Sequence, residues 1–336
     1  MRGQDLLHPR PEGLYCPPGD FFIDPVRPVA RALITHGHAD HARPGNTAVL
    51  ATQQTLDIMA IRYGADFAQS SQTAEWGMPI SFGDCTVTFH PAGHVLGSAQ
   101  IAVECNGLRI VASGDYKRRH DPSCQAFELV PCDIFITEAT FGLPAFRHPD
   151  SKAEVAKLLR SVAQFPDRTH MVGAYALGKA QRVIKELRDA GYDKPIFIHG
   201  ALQKLCDYYQ TQGIDLGELK PATLENGAKT DFAGAIVVGT PSSFADRWAR
   251  RFADPVAAFA SGWMQVRQRA RQRGVELPLI ISDHCDWDEL CETIDEVGAE
   301  EIWVTHGREE ALVRYCELKQ LRAQPLHLVG YEDEAE

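Results

Sequence analysis

The chain has 336 residues, 44% of them hydrophobic, about twice the size of an ordinary domain, which fits one large domain or two interlocked ones. Acidic residues outnumber Lys plus Arg 45 to 34, a formal charge of −11, which excludes a basic nucleic-acid coat protein; a polyanionic ligand would need a local basic groove. Nine cysteines without a C-x-x-C pair fit reduced thiols better than a disulfide framework, and with neither an apolar leader nor a run of membrane-spanning length the expectation is a soluble cytoplasmic protein with no membrane partner.

From about residue 20 to 140 the chain reads as short β-rich runs broken by Gly, Pro and Asp: "ARALIT", "NTAVLAT", "CTVTFHPAG", "AQIAVECN", "LRIVASGD" and "CDIFITEAT". Helical periodicity appears there mainly in "TQQTLDIMAIRYG". From about 150 the texture alternates: helix "SKAEVAKLLRSVAQF", strand "HMVGAY", helix "GKAQRVIKELRDAG", then "PIFIHG", "ALQKLCDYYQTQG", "AIVVGT" and "VAAFASG", a pattern of a separate small parallel sheet. After 275, "LPLIISDH", the helix "WDELCETIDEVG" and "EIWVTHG" resume strand, helix, strand, and the chain closes on an acidic tail, "EDEAE".

The chemically suggestive residues fall where an apolar run stops: His36, His94, Asp115, Glu138, His284 and His306. Strand ends in sheet-based folds deliver side chains to a common rim, so six dispersed segments can meet at one site. The densest is "THGHADHA", which packs His36, His38, Asp40 and His41 into six consecutive positions. Neutral imidazoles with carboxylates suit divalent ions. One ion needs about four ligands, so these four with His94, Asp115 and His306 oversupply one site, and two ions sharing a bridging carboxylate is the economical solution. The ligands suit Zn²⁺ and also accept Mn²⁺. A charged turn with unrelated core histidines is the competing reading; His90, four residues before His94, reads as structural or as a support for a ligand, and His8, His120, His148, His170, His199 and His327 read as ordinary structural residues.

"THGHADHA" resembles the H-x-H-x-D-H signature of the metallo-β-lactamase fold. "FIDP" (Asp24), "PAGHVLGSAQ" (His94), "ASGDY" (Asp115), "TEATFG" (Glu138), "SDHCDW" (His284) and "THGRE" (His306) resemble, in order, the motifs of the β-CASP nuclease branch, which includes RNA 3′-end endonucleases and DNA-repair nucleases. "GLYCPPGDFFIDPVRP", "FASGWMQVR" and "SDHCDW" look like the bacterial ligase-associated DNA exonuclease family, a likeness running from about residue 5 to 325. The resemblance implies His36, His38 and His94 on a first metal, Asp40, His41 and His306 on a second, and Asp115 bridging. It also implies that Asp24 orients a ligand histidine; a turn residue before Pro25 is the other reading of Asp24.

Two metals about 3.5–4 Å apart suit in-line displacement at a phosphate, with Asp40 counted among the catalytic residues as a ligand. The leaving 3′-oxygen needs a proton, for which a histidine outside the ligand set is the usual donor. His284 fits that role, and the resemblance places Glu138 to orient it; a helix-start His and a strand-end Glu are the plainer readings. For the strand itself, Lys117 and Arg118 in "KRR" follow Asp115, Lys179 and Arg182 open the helix in "YALGKAQR", Ser242 and Ser243 sit in "GTPSSF", and Arg267 begins "RQRARQR". A solvated turn, N-capping and a solvated helix face are the alternatives.

The expected architecture is therefore α/β (α+β): a four-layer αββα metallo-β-lactamase sandwich from residues 1–145 and 272–336, with a β-CASP-like α/β domain inserted over 146–271 and roofing the cleft. The expected activity is metal-dependent DNA hydrolysis, exonucleolytic and leaving 5′-phosphates, in repair with a functional link to a DNA ligase and a helicase. RNA is the alternative substrate, because RNA-processing relatives usually carry a histidine at the position of His306. A thioester or lactone hydrolase would use the same metals without needing Glu138, His284 or the insertion.

Overall fold

Along the strand Glu301–Gly307, Ile302 and Val304 turn to one face and Trp303 to the other, and all three are buried, so this strand needs cover on both sides. The computed structural model, which describes residues 1–223 and 232–328, shows what supplies it. The chain forms two compact units, Met1–Arg147 with the segment from His284, and His148–Asp283.

Among the described residues, the first unit holds a six-stranded sheet, ordered His8–Arg10, Gly13–Cys16, Phe21–Ile23, Arg31–Leu33, Asn46–Ala51, Ala68–Thr73, and a seven-stranded one, ordered Arg322–Pro325, Glu301–Gly307, Ile134–Ala139, Leu108–Ala112, Ala99–Cys105, Cys85–Pro91, Ile80–Phe82. Leu14, Phe21, Leu33 and Leu50 of the first pack against Val87, Phe89, Ile101, Ile110, Ile136 and Trp303 of the second. On the outer face of the first sheet, Ile34 and Val49 meet Leu56 and Met59 of the helix Gln53–Tyr63. On the outer face of the second, Val111, Phe135, Ile302 and Val304 meet Leu290 and Ile294 of the helix Trp287–Glu296 and Leu312 of the helix Glu309–Leu318. The layers run α, β, β, α: the expected metallo-β-lactamase-type sandwich. Burying each large apolar side chain contributes roughly 2 kcal/mol.

Strand direction sets where the loops go. Leu108–Ala112, Ile134–Ala139, Glu301–Gly307 and Arg322–Pro325 run parallel. Cys85–Pro91 joins them because Ala99–Cys105 lies antiparallel to both of its neighbours. The carboxyl ends therefore share one rim, and the loops bearing His94 and Asp115 leave from it alongside Glu138 and His306.

Among the described residues, the second unit is a parallel sheet ordered Leu219–Pro221, Ile196–Ile198, Ile236–Gly239, His170–Gly173, Val256–Ala260, Leu277–Leu279, with the helices Ser151–Gln164, Lys179–Asp189 and Gln203–Thr211. One expectation is corrected here. Leu277–Leu279 was assigned to the closing segment of the sandwich, but it pairs with Val256–Ala260 and extends the second sheet, so the first unit resumes at His284 rather than 272. The tail "EDEAE" lies outside the described residues. No helix among the described residues is long and apolar enough to cross a membrane.

Candidate metal centre

The stretch after Arg31–Leu33 folds back on itself, with the amides of His41 and Ala42 donating to the carbonyl of His38 and Arg62 Nη1 donating to that of Gly37. This turn directs the imidazoles inward. His36 Nε2 lies 3.1 Å from His38 Nδ1, and His94 Nε2 lies 3.0 Å from the same atom. Asp115 Oδ2 is 3.5 Å from His36 Nε2 and 3.8 Å from His94 Nε2. The other side of Asp115 faces a second group: Oδ2 is 3.5 Å from His41 Nε2, and Oδ1 is 3.8 Å from His306 Nδ1. Asp40 Oδ2 stands 3.7 Å from His41 Nε2. Ligand atoms of His36, His38, His94 and Asp115 fall within 4.8 Å of one another, as do those of His41, Asp115 and His306.

This donor set fits divalent cations. In a tetrahedral site with bonds of about 2.1 Å, ligand atoms are about 3.4 Å apart, close to the spacings of the ring nitrogens. The electrostatics agree. Full burial keeps His36 neutral, its pKa well below the ordinary imidazole value, with His41 adding repulsion. Burial also opposes a charge on Asp115, but the facing His41 and His306 overcome it and hold the carboxyl well below the usual range. At His41 burial is again opposed, here by Asp115 and Asp40, and the pKa rises well above the ordinary value. The carboxylates thus demand positive charge beside His41, which a proton on the ring or a coordinated cation can supply.

Asp24 is buried and in the left-handed region, φ 44°. Its carboxylate accepts from His41 Nδ1 at 2.8 Å, from the Thr35 amide at 2.8 Å and from Thr35 Oγ1 at 2.5 Å. This turns Nε2 of His41 toward Asp115. Thr35, which the sequence reading passed over, also brings Oγ1 within 3.0 Å of His36 Nδ1; its place directly before His36, with a hydroxyl in reach of the ring, was the available signal.

Two backbone features bring the loops together. Gly93 has φ +76°, and a Cβ there would lie 2.2 Å from the Lys117 carbonyl; only glycine lets the His94 loop approach the loop following Asp115 so closely. At the other end, pairing between Ile134–Ala139 and Glu301–Gly307 shifts register after Glu138, and His306 takes φ 53°. Such a bulge re-aims a side chain, here toward Asp115.

Glu138 and His284 also meet. His284 Nδ1 is 2.9 Å from Glu138 Oε2 and 3.1 Å from Oε1, both side chains buried. The Tyr116 amide donates to Glu138 Oε1 at 2.8 Å, and the His284 ring lies 4.7 Å, centroid to centroid, from that of His94. Nδ1 is thus the nitrogen that faces the carboxylate.

Most expected strand contacts do not appear as free groups. Lys117 is buried with its ammonium on Glu289. Arg118 pairs with Glu292 and Glu296 at 3.3 and 2.7 Å. These charges are drawn to the acidic helix Trp287–Glu296 instead of a groove. Lys179 is buried on Asp283, and Arg182 binds Glu186 at 2.9 Å and the Ser282 carbonyl at 2.6 Å, which ties both to the second unit's interior. Ser243 is buried and donates to the Thr240 carbonyl at 2.6 Å, capping its own turn; Ser242 is exposed, its hydroxyl 3.2 Å from that of Thr240. Arg267 is exposed at the start of the helix Arg267–Gln272.

Strand-end loops of an αββα, metallo-β-lactamase-type sandwich thus gather histidines and aspartates around one shared carboxylate. The chain's homologues are β-CASP metallo-β-lactamase nucleases and a ligase-named protein. It is 27% identical over 310 residues to a probable DNA ligase of Opitutus terrae, covering 88% of this chain and 28% of that protein. It is 31% identical over 203 residues to an endoribonuclease YSH1 of Gibberella zeae, covering 57% and 23%. It is 29% identical over 264 residues to cleavage and polyadenylation specificity factor subunit 3-I of Arabidopsis thaliana, covering 65% and 38%. The chain thus spans well under half the length of each of these three relatives. A crystal structure of a protein of unknown function from Enterococcus faecalis matches with TM-score 0.57 and 13% identity, covering 82% of this chain and 74% of that one, which is a likeness of fold. No family model matches the chain.

Proposed function

We propose that the chain is a metal-dependent phosphodiesterase that hydrolyses DNA as an exonuclease, leaving 5′-phosphates, and that it works in repair beside a DNA ligase. The observation that carries the nuclease reading is the buried Glu138–His284 pair at 2.9 Å, set beside the cluster around Asp115: a thioester or lactone hydrolase would not need a second, carboxylate-oriented imidazole. DNA is favoured because the ligase-named relative is matched over 88% of this chain. RNA remains the second reading, favoured by the endoribonuclease-named relatives and by His306 facing Asp115 at 3.8 Å.

In this reading His36, His38 and His94 would hold one divalent ion, Asp40, His41 and His306 would hold a second, and Asp115 would serve both, with Zn²⁺ the ion and Mn²⁺ an alternative. Bound there, the ions would supply a more acidic water and neutralise phosphate oxygens. Asp24 fixes the tautomer and aim of His41. Glu138 holds and orients the ring of His284 through Nδ1, and His284 delivers a proton to the departing 3′-oxygen. None of the nine cysteines is in a disulfide, which supports a cytoplasmic setting.

The test is end-labelled DNA and RNA of one sequence, single- and double-stranded, with 5′-hydroxyl or 5′-phosphate ends, incubated with Zn²⁺ or Mn²⁺. Labelled mononucleotide released from one end of DNA is expected. Cleavage of RNA alone, or internal cuts throughout, would overturn the DNA exonuclease reading, and absence of hydrolysis of any nucleic acid would overturn the nuclease reading.

A further inference from the structure

Two residues after Asp115, Lys117 is almost wholly buried, bound by Glu289 and donating from Nζ to the backbone carbonyl of His284 at 3.0 Å. Burying an ammonium and a carboxylate costs several kcal/mol per ion, which mutual attraction only partly repays, so the pair is a poor device for stability alone. Its surroundings indicate what it organises. The Cys285 amide donates to the Tyr116 carbonyl at 2.9 Å, and the Tyr116 amide donates to Glu138. The Arg119 amide donates to Glu289 Oε1 at 2.8 Å, and Arg119 Nη2 to Asp286 at 2.6 Å. Asp286 and Glu289 in turn cap the helix Trp287–Glu296 reciprocally. The segment that carries Asp115 is thereby laced, residue by residue, to the segment that carries His284.

We propose that Lys117 is a positioning residue for His284: its ammonium, held in place by Glu289, pins the His284 carbonyl while Glu138 pins the ring, so that Nε2 is fixed relative to Asp115. The inference rests on the proposed role of His284 as proton donor. A backbone hold and a ring hold together fix an imidazole that either alone would leave free to swing, and a shift of about 1 Å at a reacting group can cost about 100-fold in rate.

The test compares two substrates. One is an oligonucleotide, whose leaving 3′-oxygen needs a proton. The other is the p-nitrophenyl ester of thymidine 5′-monophosphate, whose leaving group departs as a stable anion. Lys117→Met is assayed with the double variant Lys117→Met/Glu289→Gln, which removes both buried charges and keeps the helix cap. Bound metal and melting temperature are measured alongside, with His284→Ala as reference. The expected result is wild-type metal content, a kcat on the oligonucleotide lowered about 10- to 100-fold at similar KM, and a loss on the ester at least about ten times smaller.

Equal losses on both substrates, no loss on either, loss of metal, or failure of both variants to fold would assign Lys117 and Glu289 to folding alone. If His284→Ala itself shows no preference between the substrates, the proton-donor reading fails. If His284→Ala shows it and the Lys117 variants do not, only the present proposal fails.

Discussion

Glu138 holds Nδ1 of His284 at 2.9 Å inside a buried pocket, and both side chains also reach within 4.8 Å of a carboxylate oxygen of Asp115. That closeness leaves two chemical roles for His284, proton donor or ligand. Replacing it with alanine separates them: turnover on nucleic acid should fall about 10²- to 10⁴-fold, the usual worth of a general acid, with bound metal unchanged. Metal content falling in step with activity, measured by mass spectrometry on the purified variant, would make His284 a ligand instead.

Asp24 touches His41, the Thr35 amide and the Thr35 hydroxyl and supports the site through them. Asp24→Asn keeps the shape but supplies one oxygen where the carboxylate supplied two, and it removes a charge that favours the His41 tautomer facing Asp115. Metal affinity should weaken about 10- to 100-fold, as for other outer partners of ligand histidines. Titration against a chelator of known affinity measures this, and an unchanged dissociation constant would reduce Asp24 to a turn residue.

That His36, His94, Asp115 and His306 would be delivered to one rim was readable because the signals are local: apolar runs end in "ALIT" and "RIVASG", and the residues that follow gather there. The layers were readable for the same reason. The destinations of Lys117, Lys179 and Arg182 were not, because a cation's role depends on what faces it. Glu289 lies 172 positions from Lys117, and Asp283 lies 104 from Lys179. Ala68–Thr73 escaped notice because an exposed edge strand made of polar residues carries no apolar alternation, and Leu277–Leu279 was misassigned because its partner strand is a tertiary fact.

Gly93 offers a purely steric test of how the rim is assembled. Gly93→Ala places a methyl where the Lys117 carbonyl stands 2.2 Å away, at φ +76°. The left-handed backbone alone costs about 1–2 kcal/mol, and the clash is with backbone, which cannot simply rotate aside. The variant should lower the urea midpoint and weaken metal binding together, since His94 is the next residue. A midpoint equal to wild type would show that the two loops do not need this approach.

His170 offers a test of pH dependence within the second unit. Its side chain is buried, with Nε2 2.9 Å from Ser161 Oγ, and burial holds its pKa below the ordinary imidazole value. A depressed histidine favours folding above the unfolded-state pKa of about 6.5. As pH drops below that value the unfolded chain takes up a proton that the folded chain resists, and the advantage is progressively lost as pH falls toward the folded pKa. One proton contributes at most about 1.4 kcal/mol per pH unit to that slope. Denaturant unfolding of the full chain between pH 7.5 and 5 should therefore be steeper in pH for the wild type than for His170→Gln, whose side chain keeps a hydrogen bond to Ser161 without titrating. Identical slopes would show that His170 titrates alike in the folded and unfolded states and that burial does not govern it.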